Sequence, residues 1–535
     1  MRCSVDTGNT GGALKAFVQK HSKVITGILS GFDRLVFRGT LRQLCYVDGM
    51  MGYLWHRKIL LKNFTQYAKE TTAKLREAST RLAEKENRPV LYLESGRISK
   101  EDKAKEIMRK DGIKEGLICV FTALEPCQSY DIFRNREQKK LELVVRRRKC
   151  LHIYHYWINP VFGFMNARIQ TWFPFNIQIC INGREWLSRQ MDKKGVLYVR
   201  KDNCFPRLAN ATLAQKLMDG QCDINWPELL SKVSRRLNPA HEKIFGYFEV
   251  PYYWSAFQSE WATDVMFKDR ASLDALYSSL IHHGMTTFQS PDVMRFLGYK
   301  LGSTGKIDGR FSGEIVSDIK NRHEGVRIKH RINGNSIKAY NKQGSILRIE
   351  TTINEANGFK VYRSKQGGDG RERHWLPMRK GIADLKRRAD VSQNANNRYL
   401  DAIAVVDVPI PVKNLVQEIL KPTTLNERRV RAINPWSDED ASLLESVMRG
   451  EFTINGFQNR DLRSVLFPAA EKSQDEQRRD SARVSRKLRI LRAHGLIKKV
   501  PHTHRYHVTQ RGRSIISALL AARNANANQL AKIAA

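Results

Sequence analysis

The chain has 535 residues, 41% of them hydrophobic, and its 92 Lys and Arg residues against 54 Asp and Glu give a formal net charge of +38 at pH 7. At roughly 150 residues per domain, this length predicts three or four domains. A charge excess of this size repels itself in a compact fold unless a polyanion offsets it. The basic runs are spread along the chain, at 146–149, 386–388, 427–431 and 478–492, and such a distribution is typical of nucleic-acid-binding proteins.

Several other classes of protein are excluded by the same survey. No run of about 18 apolar residues is present, so we expect no membrane span. No basic helix with a broad apolar face is found, so a membrane-surface partner is not expected either. The eight cysteines are scattered, without a Cys-x-x-Cys pair or zinc spacing, and the N-terminus lacks the apolar core of a signal peptide. We therefore expect a cytoplasmic protein with reduced thiols.

Residues 1–140 are predicted to form an α/β region. Residues 13–85 have largely helical spacing of apolar residues, interrupted by a strand around "RLVFR". Further on, "PVLYLES" and "GLICVFTAL" are candidate buried strands that flank the helix "SKEDKAKEIMRKDG". This order predicts a βαβ unit.

Residues 141–305 are predicted to be an aromatic-rich β region followed by helices. Exposed aromatic side chains beside cations can stack unpaired bases, but aromatic residues on strands are more often core, and we favour the core for Phe162, Phe164, Trp172 and Phe175. His152 and His155 are three residues apart, so on a strand they point to opposite faces and do not form a metal pair. We expect both histidines to be core or edge residues.

Residues 306–410 are predicted to contain a central antiparallel β-meander. The strands "VRIKHRI" and "NSIKAYNK" meet at Asn333-Gly334, a pair that strongly favours a two-residue hairpin turn, and "SILRIETTI" supplies the third strand. Because side chains alternate between the faces of a strand, the charged residues share one face. That face is predicted to present Arg327, Lys329, Arg331, Lys338, Tyr340, Arg348 and Glu350. It suits phosphates, although cross-strand Arg–Glu pairs are also ordinary stabilisers of a sheet.

Part of this meander, "IKAYNK" followed by "LRIE", resembles the signature of replication initiators of rolling-circle plasmids and filamentous phages, over residues 325–365. Those proteins nick one DNA strand with a tyrosine, form a phosphotyrosyl bond and use a carboxylate-bound divalent metal. The resemblance implies that Glu350 is a ligand of Mg²⁺ or Mn²⁺. It also implies that Lys338, Lys342 and Arg348 lie near phosphates.

The same resemblance implies a nucleophilic tyrosine. Tyr362 in "KVYRSK" is the first candidate and Tyr399 in "NNRYLDAI" the second, because basic neighbours favour a phenolate and hold a phosphate. Tyr340, within the signature itself, is a third candidate. Many of these initiators carry a His-x-His metal pair on a strand, whereas the His-x-His of this chain, His502 to His504, lies near the C-terminus.

Residues 411–436 are predicted to be a linker, and residues 437–535 a winged-helix DNA-binding domain. The order is helix, helix, basic helix, two strands and helix, with Ser437 as the first N-cap and Gly495 at the end of the basic helix. The phrase "SRKLRILRAHGLIKKV…RYHVTQRGR" resembles MarR-like and related winged-helix domains. On the basic helix, Val484, Leu488 and Leu491 mark the buried stripe.

The residues predicted to contact DNA lie off that stripe or on the wing. Those on the basic helix are Arg483, Arg486, Lys487 and Arg489, which would reach bases or phosphates. Those at the wing tip are His502, His504, Arg505 and Tyr506, which would contact the backbone or the minor groove.

Taken together, the sequence predicts a multidomain α+β protein with a mixed helical N-terminal half, a central antiparallel β-meander and a C-terminal winged helix. The predicted function is nucleic-acid binding, with DNA favoured over RNA, in a mobile element or a replication system. Metal-dependent nicking of DNA is one possibility. The alternatives are a non-enzymatic regulator or structural DNA binder, and a partner of a structured RNA. A homodimer is left open.

Overall fold

The computed structural model describes most of the chain. The described residues are 14–94, 98–238, 251–299, 311–322, 325–365, 372–404, 416–449, 456–468, 473–501 and 503–525, with the single positions 244, 301, 307, 309 and 452. None of the helices in these ranges has both the length and the apolar composition needed to cross a membrane.

The protein is an α+β protein. Within the described residues the α-helices are α1 (Leu14–Lys20), α2 (Val47–His56), α3 (Phe64–Lys85), α4 (Lys100–Lys110), α5 (Gly183–Lys193), α6 (Ala211–Asp219), α7 (Trp226–Leu237), α8 (Arg270–Thr286), α9 (Ser290–Leu297), α10 (Leu385–Ile403), α11 (Asp438–Val447), α12 (Asn459–Leu466), α13 (Gln474–Ala493) and α14 (Gln510–Asn524). The strands are β1 (Ile25–Thr40), β2 (Val90–Tyr92), β3 (Gly116–Asn135), β4 (Lys140–Asn159), β5 (Gly163–Gln170), β6 (Ile177–Asn182), β7 (Tyr198–Lys201), β8 (Cys204–Leu208), β9 (Tyr253–Phe267), β10 (Ile315–Arg322), β11 (Gly325–Ile332), β12 (Asn335–Lys342), β13 (Ile346–Ile353), β14 (Lys360–Arg363), β15 (His374–Pro377), β16 (Thr423–Leu425), β17 (Arg428–Val430), β18 (Ile497–Lys499) and β19 (Tyr506–Val508).

These elements divide into two compact units, each built from separate stretches of chain. Unit 1 comprises residues 1–28, 263–351 and 391–535, and unit 2 comprises residues 29–262 and 352–390. The division does not follow the predicted boundaries at 140, 305 and 410. The reason is strand pairing between distant segments, which periodicity within one segment cannot reveal. In unit 1, for example, the amide of Phe267 at the end of β9 donates to the carbonyl of Ser345.

Unit 2 contains a mixed sheet in which the strands follow the order β1-β6-β5-β4-β3-β2. Neighbouring strands are antiparallel except β2 and β3, which are parallel and connected through α4. This is the predicted βαβ unit. Its helix begins at Ser99, whose hydroxyl accepts a hydrogen bond from the amide of Asp102, as expected for an N-cap.

The aromatic region of unit 2 is core, as the sequence favoured. Phe162, Trp172 and Phe175 are buried, and Phe175 packs edge-on against Phe173 with ring centroids 4.3 Å apart. His152 and His155 are also buried. Phe164 is only half-buried, and its ring contacts Tyr156. Phe162, Trp172 and Phe175 are therefore not available to stack bases.

Unit 1 contains the predicted meander, with one strand more than expected. Strands β10 and β11 are antiparallel, as are β11 and β12, and β13 follows in the sheet. The predicted turn at Asn333-Gly334 is present as a two-residue connection, with Asn333 at φ 50°. Helices α8 and α10 pack on the meander through Tyr277, whose hydroxyl accepts from the amide of Asn341, and through Tyr399, which contacts His330.

The C-terminal part of unit 1 has a hydrophobic core of its own. Helices α11 to α14 and the antiparallel pair β18–β19 contribute to it, and Val484, Leu488 and Leu491 are buried in it as predicted. The segment predicted as a linker differs from expectation. Where the structure describes it, from 416 to 436, Val416, Ile419 and Ile433 belong to this core, and β16 pairs with β17. These apolar side chains pack against the helices, so the described part of the segment is not a flexible linker.

Candidate nucleic-acid interface

The pairing of β11 with β12 sets residues of the predicted charged face opposite each other. Arg327 lies opposite Tyr340, and Lys329 lies opposite Lys338. The newly found strand β10 adds Asp318 opposite Lys329 and Lys320 opposite Arg327. Both of these rows across the sheet therefore contain cations, and the row through Lys329 also contains the carboxylate of Asp318. Because side chains directly opposite each other interact, part of the basic charge on this face is neutralised within the sheet.

Glu350 forms a tight cluster with two residues of β12. Lys338 Nζ donates to Glu350 Oε1 at 2.5 Å, and the Tyr340 hydroxyl donates to Oε2 at 2.8 Å. Burial opposes ionisation of this carboxyl, but the Lys338 ammonium and the hydrogen bonds outweigh burial and hold its pKa below the usual value. Glu350 is therefore an ionised carboxylate with a hydrogen bond to each oxygen.

These contacts bear on the metal that the resemblance implies. A divalent cation needs several oxygen ligands, and at Glu350 it would have to share the carboxylate with the Lys338 ammonium. The contacts that Glu350 makes within unit 1 are those of a buried ion pair.

Two of the cations predicted to lie near phosphates are buried. Arg348 is fully buried, and its guanidinium donates to both oxygens of Asp264, at 2.6 and 2.8 Å. Lys342 is also buried. The prediction of an open charged face fails here because β13 is an interior strand whose residues are buried on both faces. Alternation along a strand cannot distinguish an open polar face from a covered one.

The structure separates the tyrosines that were candidates for a nucleophile. Tyr399 is buried among Phe288, Phe296 and His330, and burial raises the pKa of its phenol. A buried, protonated phenol has no access to a phosphate, so this placement contradicts the nucleophile role of Tyr399. Tyr362 lies in unit 2 and is 54% exposed. Of Tyr362 and Tyr399, therefore, only Tyr362 is accessible to a ligand.

The outer face of α13 is strongly basic. The buried residues Asp480, Val484 and Leu488 fix the inner side of the helix, and at 100° per residue the opposite side contains exposed or half-buried arginines. These arginines are Arg478, Arg479, Arg486 and Arg489. Arg486 and Arg489 were predicted to contact DNA, whereas Arg478 and Arg479 were not. Arg478 and Arg479 lie near the N-terminal end of the same helix, on the side opposite Asp480 and Val484. The helical periodicity of the sequence, continued towards the N-terminus, identifies them.

Two other predicted contacts on α13 are differently placed. Lys487 is buried and its ammonium donates to Glu439 Oε1 at 2.6 Å, so its charge is used within the fold. Arg483 is exposed, but it lies at the flank of the helix, with its guanidinium over the ring of Phe467 and 3.7 Å from Asp480. Arg486 and Arg489 therefore remain as outward-facing members of the predicted set.

The pair β18–β19 follows α13 and is joined to the segment that precedes α12. The amide of Phe457 donates to the carbonyl of Tyr506 at 2.9 Å, and the amide of Tyr506 donates back at 2.8 Å. Tyr506 is half-buried, with its ring stacked on Phe457, and Arg505 Nη1 donates to the carbonyl of Gly456. His504 is exposed, and His502 lies outside the described residues.

Comparison with protein-family models, with curated proteins and with solved structures found no match for this chain. The functional argument therefore depends on the contacts described above.

Proposed function

We propose that the protein is a cytoplasmic nucleic-acid-binding protein whose C-terminal module, residues 437–524, is a winged helix that binds duplex DNA. The observation that carries the proposal is the outer face of α13. Four arginines point away from the core there, on a helix that follows α11 and α12 among the described residues and directly precedes the pair β18–β19. The major groove of DNA admits an α-helix, and guanidinium groups bind both phosphates and the edges of guanine bases.

The bridge between Phe457 and Tyr506 gives independent support. It is an isolated antiparallel bridge that joins the segment before α12 to the last strand of the hairpin. This contact between the hairpin and the segment that precedes α12 supports the winged-helix proposal. The exposed Lys498 and Lys499 on β18 add positive charge beside the helix.

Binding to duplex DNA tests the proposal directly. Arg486→Ala and Arg489→Ala should each weaken binding of a DNA duplex by about 1–3 kcal/mol if they reach bases, and a lost phosphate contact should reduce the slope of log affinity against log salt by roughly one. Arg81→Ala is the matched control, because Arg81 is an exposed arginine of unit 2 that pairs with Glu77. If the α13 variants bind as the control does, the proposal is wrong.

Nicking of DNA in a mobile element or a replication system is a second proposal. The exposure of Tyr362 favours it, together with the resemblance of the β12–β13 segment to rolling-circle initiators. Supercoiled plasmid and single-stranded DNA would be incubated with the protein, with and without Mg²⁺ or Mn²⁺, and examined for nicks and a covalent adduct. An adduct lost in Tyr362→Phe but kept in Tyr399→Phe would establish the reaction. Binding without a nick under either metal would leave a non-enzymatic DNA binder.

Binding to a structured RNA is the remaining alternative. It predicts tighter binding to folded RNA than to duplex DNA at the same stated salt concentration. The duplex-binding experiment includes such an RNA as a competitor. Preferential displacement by RNA, unaffected by Arg486→Ala, would select this alternative.

A further inference from the structure

The hairpin β14–β15 of unit 2 exposes two large aromatic rings side by side. Tyr362 lies directly opposite Trp375, and their ring centroids are 5.7 Å apart at an angle of 48°. Tyr362 is 54% exposed and Trp375 is 67% exposed. Aromatic residues of this size are mostly buried in folded proteins, because their exposure to water is unfavourable. A pair that is exposed on one face of a hairpin therefore needs an explanation.

The hairpin is firmly attached through its other face, so the exposure is not that of a loose loop. Val361 and Arg363 are buried, and the Arg363 guanidinium donates to the carbonyls of Ser364 and Pro377. Asp384, itself buried, lies 3.8 Å from Arg363 and also binds Arg379 and Arg387. The inner face is thus fixed by packing and ion pairs, while the outer face presents the two rings.

The surroundings of the two rings are basic. Lys360 shares the outer face with Tyr362, and Lys365 and Arg373 are exposed at the ends of the strands. Against these three cations, the described residues of the hairpin, 360–365 and 372–377, contain one carboxylate, the exposed Glu372. Rings flanked by cations match a ligand that combines flat apolar groups with negative charge. Nucleobases joined by phosphates have this composition, whereas an apolar protein partner would gain nothing from the excess of positive charge.

We propose that Tyr362 and Trp375 form a stacking surface for single-stranded nucleic acid. Two successive bases would stack on the rings, and Lys360, Lys365 and Arg373 would contact the phosphates. This surface lies in a different unit from the C-terminal module and does not depend on duplex binding. Stacking uses the aromatic ring of Tyr362 and not its hydroxyl. Nicking, in contrast, would need the hydroxyl as the nucleophile.

The test is binding of fluorescently labelled oligothymidylate and oligouridylate to the full chain at a stated salt concentration. Trp375→Ala and Tyr362→Ala should each lower affinity for the single strands by about tenfold, the typical effect of removing one stacking ring, with duplex affinity unchanged. Tyr362→Phe should bind as the parent protein does. Trp55→Ala is the matched control, since Trp55 is an exposed tryptophan of the same unit. The ratio of the affinities for oligothymidylate and oligouridylate shows whether single-stranded DNA or RNA is preferred.

A second measurement keeps the test independent of folding defects. A 5-bromouracil-containing oligonucleotide bound to the unmodified protein should cross-link under ultraviolet light to the peptide that contains Tyr362 or Trp375. If neither peptide is labelled, or if the alanine variants bind single strands like the parent, the proposal is overturned. Equal losses for single strands and duplex would also overturn it. Failure of the duplex proposal is seen separately, in Arg486→Ala and Arg489→Ala.

Discussion

Arg348 and Asp264 form a two-pronged ion pair in the interior of unit 1, with Nε to Oδ1 at 2.6 Å and Nη2 to Oδ2 at 2.8 Å. The two residues are 84 positions apart in the chain. A guanidinium expected to face phosphates is thereby committed to the fold, and its contribution should appear in stability and not in nucleic-acid binding.

Asp264→Asn should destabilise unit 1 by about 3–5 kcal/mol, because it removes the carboxylate that accepts two hydrogen bonds from the buried Arg348 guanidinium. Chemical unfolding followed by circular dichroism measures the change. Asp274→Asn is the control, since Asp274 forms an exposed pair with Arg270, and a loss below about 0.5 kcal/mol is expected there. Equal effects of the two substitutions would contradict the burial of the Arg348 pair.

Glu350→Gln should make the stability of the protein less sensitive to acid. The folded-state pKa of Glu350 lies below its usual value of 4.5, so the ionised carboxylate stabilises the fold above that pH, and this stabilisation is lost as the pH falls through the folded pKa. Unfolding measured at intervals from about pH 6 to pH 3 should give a shallower fall for the variant. Glu77→Gln, at an exposed glutamate on α3, is the control.

Lys487→Met should affect folding and not DNA binding. Its ammonium pairs with Glu439, which is largely exposed, so the expected loss of stability is only about 1 kcal/mol. Duplex affinity should change less than twofold, in contrast to the neighbouring Arg486→Ala. Thermal unfolding and a duplex titration on the same samples separate the two effects. A large loss of affinity in Lys487→Met would show that this residue reaches DNA after all.

His155→Leu should reduce the loss of stability at mildly acid pH. Burial lowers the pKa of His155 to about 4, and neither ring nitrogen has a hydrogen-bond partner within the described residues. The imidazole of His155 is protonated near pH 6.5 in the unfolded chain and only near pH 4 in the folded chain. The free energy of unfolding therefore decreases as the pH is lowered from 6.5 to 4. His152, His283 and His330 have similarly lowered pKa values, so the variant removes one part of the fall. His56→Leu, at an exposed site, is the control.

The sequence predicted those features that local patterns determine. Asn333-Gly334 placed the hairpin turn, and two-residue alternation placed Lys329 and Lys338 on the same face. Ser473 begins α13 with a capping box and Gly495 ends it at φ 68°, as such residues commonly do. In each case the residues that decide the geometry are a few positions apart.

The features that the sequence could not predict depend on distant partners. Arg348 and Lys487 look like binding residues because their partners, Asp264 and Glu439, are 84 and 48 positions away. Tyr362 and Tyr399 both have basic neighbours, and only the fold shows that one ring is covered by Phe288 and Phe296. The sequence also does not show that Trp375 lies beside Tyr362, because this depends on the pairing of β14 with β15.

The position of Asp384 has a consequence for ionic strength. Its carboxylate holds Arg363, Arg379 and Arg387 from a buried site, where dissolved salt screens an ion pair weakly. The hairpin should therefore keep its shape at salt concentrations that displace exposed lysines from phosphates. Single-stranded ligands would then retain a salt-resistant component of affinity contributed by Tyr362 and Trp375, while binding through the arginines of α13 would fade.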